Sequence, residues 1–155
     1  MFSSLGYSAL FFLVSVLLLN PLVTVASKFS LPRKINRHRR IIGVASFVYA
    51  FFHAFLYIEK KGGSFFSKWL FHPVILPGVI VVIILFFLAL TSNQFSIKRM
   101  GVIAWKKLHR LVYIAQFLIF CHLFLQGGTS RWIALLVFPV LYALQHLRNK
   151  KRRAK

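Results

Sequence analysis

Five stretches of this chain contain no Lys, Arg, Asp or Glu: residues 5–27, 41–58, 69–97, 111–130 and 132–147. The basic residues crowd into the gaps between them. A helix that crosses the hydrocarbon core of a bilayer needs about 17–25 predominantly apolar residues. All five stretches qualify, although the fifth, "WIALLVFPVLYALQH", is short. Burial in a soluble core is the competing explanation, and the charge balance opposes it. Soluble domains carry about a quarter charged residues of both signs. Here 14% are charged, and Glu59 is the one acid against 21 Lys and Arg. The predicted fold class is therefore all-α, an integral-membrane helical bundle of about five transmembrane helices. Residues 1–147 form its membrane domain and 148–155 a basic tail. The first stretch lacks the basic start and small-residue cleavage site of a signal peptide, so it is expected to be a retained span.

Lys and Arg collect in the cytoplasmic loops of membrane proteins. Residues 28–40 ("KFSLPRKINRHRR"), 93–110 and the tail together hold 17 of the 21. The other side holds Lys60, Lys61, Lys68 and Arg131. Five spans place the three basic regions on one face, which predicts an external N-terminus and a cytosolic C-terminus. Orientation and contact with anionic lipid account for most of the +20 charge. No basic face of a soluble module is left over for nucleic acid. The chain is expected to cross the membrane several times, with its basic regions in the cytosol.

Polar groups inside a span are costly and usually functional. His53 lies 12 residues into the second stretch from Ile41, about 18 Å deep, and His122 lies 15 residues from Lys107, about 22 Å deep. Both stretches run in the same direction, so the two imidazoles are expected at similar depth. Facing each other, they could hold the iron of a b-type heme from opposite sides of its ring. Small residues at Ser46, Ala50 and Ala115 would let a flat ring approach the backbone. The alternative is that each histidine is bonded to Ser, Thr or Asn of a neighbouring helix. Zinc would require further Cys, His or carboxylate ligands. A Ser-His-Asp triad is excluded because the chain has no Asp. The single Cys121 excludes an intramolecular disulfide.

His109 precedes His122 by 13 residues, about 3.6 turns of ideal helix, which places them on roughly opposite faces. Aligning them would need a local irregularity. His109 is expected nearer the cytosolic face, as ligand of a second heme whose weaker candidate partner is His38. His72 and His146 are read as interfacial.

"RRIIGVASFVYAFFHAFLY" (39–57), "LALTSN" (88–93) and "MGVIAWKKLHRLVYIAQFLIFCH" (100–122) resemble the MsrQ (YedZ) family of heme-binding membrane subunits. That family serves methionine sulfoxide reductase systems and lies within the ferric-reductase-like transmembrane group. The resemblance covers roughly residues 5–150. It implies that His53, His109 and His122 are heme ligands, with one or two hemes of b type. It implies an electron-transfer subunit of an oxidoreductase rather than a complete enzyme, with no catalytic residue of its own. The implied donor is a quinone or a cytosolic flavin reductase, and the implied acceptor a periplasmic molybdenum-containing reductase. FMN is associated with the family, but no residue here can be matched to it. The family usually has six spans, and the first has no counterpart in this chain. Without a G-x-G-x-x-G fingerprint or a soluble flavin domain, hydride transfer from a nicotinamide cofactor is not expected. Two other readings remain open: a ferric-reductase-like cytochrome acting on external ferric iron or oxygen, and a heme-free scaffold or transport subunit.

Overall fold

The computed structural model describes residues 2–25, 34, 38–63, 68 and 70–153. Every regular element among them of more than one residue is an α-helix: α1 (Phe2–Val25), α2 (Arg39–Lys61), α3 (Ile75–Leu90), α4 (Gln94–Met100), α5 (Val102–His109), α6 (Leu111–Gln126) and α7 (Gly128–Arg153). Much of loop 28–40 and part of 64–69 lie outside the described residues.

Four helical segments are long and apolar enough to cross a membrane: Ser4–Val25, Arg39–Lys61, Val102–Gln126 and Gly128–Lys151. α3 and α4 supply a fifth if they count as one broken span. At most 24% of any of the four windows is buried in the protein. Leu136 is 70% exposed and Ile103 87%. In water each such side chain would forgo about 1.5–3 kcal/mol of burial, whereas lipid contact carries no such loss. The fifth stretch, short as an uncharged run, gains length because α7 continues through the basic residues to Arg153. Residues 148–153 continue the same helix.

Within lipid the hydrophobic effect does not draw helices together, so close packing and hydrogen bonds across helices must. α1 and α2 make the most extensive pairing. There the buried Ser46 hydroxyl donates to the Ala9 carbonyl at 3.0 Å. α6 packs on both α3 and α7, with Ala115 and Ala134 wholly buried in the shared core.

The stretch 69–97 does not continue as one helix. α3 stops at Leu90, and α4 leaves at 90°. The cause is local. Thr91 Oγ1 donates to the Phe87 carbonyl and Ser92 Oγ to the Leu88 carbonyl, each at 2.7 Å. Asn93 Nδ2 donates to the Leu90 carbonyl at 2.7 Å. Three consecutive polar side chains thus satisfy acceptors that a helix end leaves open. Asn93 then caps α4 by accepting from the Ser96 amide at 2.7 Å. Gly101 (φ 79°) and Gly127 (φ 78°) turn the chain into α5 and α7 in the left-handed region open to glycine.

Candidate heme site

α2 and α6 bring His53 and His122 to one cavity. It measures about 120 Å³ and opens partly to the surroundings between the helices. Pockets for cofactor-sized ligands measure about 300–1,000 Å³, so a macrocycle needs the open part as well. Small residues from four helices line the cavity, among them Gly6, Ala9, Ser46, Ala50, Gly78 and Ser130. Leucines and valines such as Leu13, Val81 and Leu85 complete an apolar wall.

Each imidazole lies against a glycine of a neighbouring helix. A Cβ on Gly6 of α1 would stand 3.1 Å from Cε1 of His53. A Cβ on Gly78 of α3 would stand 3.2 Å from both Cε1 and Nδ1 of His122. Comfortable carbon contacts begin near about 3.5 Å, so both positions accept the ring because no side chain is there. His122 Nδ1 also lies 2.6 Å from the Val74 carbonyl. A carbonyl can only accept, so Nδ1 carries the proton and Nε2 keeps its lone pair. That is the tautomer an axial ligand needs, held by the kind of backbone acceptor that orients metal-binding histidines. Ser46 meets its hydrogen-bonding requirement at Ala9 and leaves the cavity wall uncharged. Two imidazoles, one of them fixed in the ligating tautomer, with glycines beside them and apolar walls, fit a bis-histidine heme. Among the described residues no three His, Cys, Asp or Glu side chains gather as for a bare metal ion.

His109 is at a different level. Its Nε2 is 3.1 Å from Thr91 Oγ1, and its ring centroid is 4.2 Å from that of Trp105. Trp105 Nε1 donates to the Thr91 carbonyl at 2.9 Å. His109 thus meets the chain just past the end of α3, while His122 meets Val74 just before its start. The residues Val74 and Thr91 are separated by about 25 Å of helix. Both histidines reach the same neighbouring helix, contrary to the opposite faces of an ideal α-helix. The junction explains part of this: the Arg110 amide bonds to the Lys107 carbonyl and the Tyr113 amide to the Arg110 carbonyl. These i→i+3 bonds tighten the winding between the two histidines.

His38 is exposed and occupies the residue before α2, where its carbonyl accepts from the Ile42 amide. His72 is exposed just before the start of α3, and His146 is exposed within α7, well before its end at Arg153. Of the small residues expected beside a flat ring, Ser46 and Ala50 line the cavity, whereas Ala115 is buried in the core that α6 shares with its neighbours. The sequence reading did not single out Gly6 or Gly78. Their signal is a glycine in an apolar span, which becomes informative only once the opposing histidine is known.

A family model, "Ferric reductase like transmembrane component", matches residues 5–120. The chain is similar to the protein-methionine-sulfoxide reductase heme-binding subunit MsrQ of Brucella anthropi, at 34% identity over 90% of this chain and 60% of that protein. It is similar to the subunit of the same name from Brucella ovis, at 36% identity over 72% of this chain and 50% of that one. It is also similar to the magnetosome protein MamZ of Magnetospirillum gryphiswaldense, at 33% identity over 80% of this chain and 19% of that protein. The chain thus spans less than two thirds of each of these relatives. No solved structure matches it.

Proposed function

The chain belongs to the ferric-reductase-like transmembrane family, and from that premise we propose that it is a heme-carrying electron-transfer subunit of a methionine sulfoxide reductase system. The observation that carries this reading is the cavity shared by His53 and His122, with a glycine against each ring.

In this reading His53 and His122 would hold one b-type heme between them, and the group would supply single-electron exchange rather than oxygen binding. The chain's own residues set its conditions. The Val74 carbonyl holds the His122 proton on Nδ1 and turns Nε2 into the donor atom. Gly6 and Gly78 keep side chains away from both rings. Leu13, Val81 and Leu85 exclude water from the wall, which lowers the local dielectric and bears on the potential. His109, with Thr91 and Trp105, is the inner station, nearer the basic side.

The basic side faces the cytosol, by the distribution of Lys and Arg, and the membrane is the bacterial inner membrane. Electrons enter there from a quinone or a flavin reductase, and they leave outward to a periplasmic methionine sulfoxide reductase. This is tested in membranes containing the chain together with such a reductase. The dithionite-reduced heme is expected to reoxidise on addition of methionine sulfoxide. It should stay reduced when either the reductase or the sulfoxide is omitted. Reoxidation that is indifferent to the reductase would sink the assignment to this system.

A further inference from the structure

A second cavity, of about 470 Å³, lies on another face of α6, between α6 and α7. Its walls are aromatic: Phe117, Phe120 and Phe138 line it, and the last two meet edge to face at 5.8 Å between centroids. Its polar groups lie toward the Arg148 end. Gln145 Nε2 donates to Gln116 Oε1 at 3.0 Å. Nearer the end of α7, Arg148 Nη2 donates to the Tyr113 hydroxyl at 3.3 Å and to Asn149 Oδ1 at 3.1 Å.

The charge at this end is of one sign. Lys150 and Lys151 follow Arg148 on α7, and Glu59, the one acid of the chain, lies near the end of α2 on the opposite side of the bundle. The partners of Arg148 among the described residues are neutral, so its hydrogen bonds leave its charge uncompensated. A guanidinium has five N–H donors in a planar fork that matches a phosphate. The Tyr113 oxygen accepts from Arg148, so its own O–H is a further donor in the mouth. An occupant must therefore combine an anionic, acceptor-rich head with an apolar body. A neutral ring compound would leave the positive mouth unanswered.

We propose that this cleft is a specific site for one anionic phospholipid, its phosphate at Arg148 and Tyr113 and an acyl chain along Phe117, Phe120 and Phe138. Basic pockets between membrane helices take such headgroups. This differs from the diffuse attraction of the basic loops, because the site is built by side chains of two helices. The lipid ties α7 to α6, whose other face carries His122. The proposal rests on the membrane-protein reading.

Native mass spectrometry of the purified heme-loaded protein tests it, with dioleoylphosphatidylglycerol, dioleoylphosphatidylcholine and ubiquinone as competing probes. Phosphatidylglycerol is expected to bind at least about tenfold more tightly than phosphatidylcholine, the scale of charge-assisted hydrogen bonds. Arg148→Gln should abolish that preference, Tyr113→Phe should weaken it, and Lys98→Gln, on the same side but away from the cleft, should keep it. Equal binding of the two phospholipids by the unaltered protein would overturn the site, as would preferential binding of ubiquinone. Equal loss in Lys98→Gln would reduce the preference to net charge and also overturn it. Heme content is read in the same spectra. Lost lipid preference with heme retained concerns this site alone, and absent heme with lipid preference retained concerns the proposed function alone.

Discussion

Substituting Gly78 by Ala adds one methyl group beside a histidine that the proposed heme depends on. The new Cβ would stand 3.2 Å from Cε1 and Nδ1 of His122 and 3.6 Å from Cγ. The ring must retreat by a few tenths of an ångström to reach the roughly 3.5–4.0 Å of ordinary contact. It cannot do so without disturbing the 2.6 Å bond from Nδ1 to the Val74 carbonyl. Two terms oppose each other in the fold. Ala in place of Gly favours the helix by about 0.8–1 kcal/mol, and a weakened hydrogen bond costs about 0.5–1.5 kcal/mol. The net change in stability is therefore near zero. Heme affinity has no such compensation. Disturbing the hydrogen bond that orients a metal-binding histidine costs about 10–100-fold in affinity, or about 1.4–2.7 kcal/mol. The assay is heme per chain after purification, with heme titration into the stripped protein and a thermal melt alongside. Gly43→Ala is the control, because a Cβ there meets nothing within 4 Å, so it should gain helix stability and keep its heme. Unchanged heme affinity in Gly78→Ala would refute the reasoning that the glycine exists to seat the imidazole.

Gly6→Ala should act on His53 in the same way, since its Cβ would stand 3.1 Å from Cε1. His109→Ala should leave a reducible heme in place, because His109 meets Thr91 at the other end of α3 from His122. Loss of all heme in that variant would mean that the two levels form one site. Ser46→Ala removes the buried bond to the Ala9 carbonyl and should lower stability in detergent by about 0.6 kcal/mol, the average for such bonds between membrane helices. An effect near zero would show that α1 and α2 hold together by packing alone. Reporter fusions should place the end after Arg153 in the cytosol and the turn at Gly127 outside. The reverse result would invert the proposed direction of electron flow.

Much of this architecture is legible in the spacing of charges, because a membrane span must exclude them over a fixed length. That His53 and His122 line one cavity is legible for the same reason: rise per residue converts position along two like-directed helices into height. What the spacing does not contain is rotation about the helix axis. Ideal winding separates His109 from His122, and only the tight turn at Arg110 and the course of α3 bring both to one neighbour. The break at Thr91–Asn93 is hidden because these residues are uncharged, yet their side chains take over the carbonyls of α3 and end it. Gly6 and Gly78 read as ordinary small residues of a span, since their role is a contact between helices far apart in the chain. The bond between Gln116 and Gln145 depends in the same way on which faces of α6 and α7 meet.

The central claim is that one heme lies between His53 and His122. The most direct test is the reduced-minus-oxidised absorption spectrum of the purified chain beside those of His53→Ala and His122→Ala. The bands of a low-spin b-type heme are expected in the unaltered protein, with the signal of this heme missing from both variants. An unaltered protein without a chromophore, or two variants that keep their full heme content, would contradict the account.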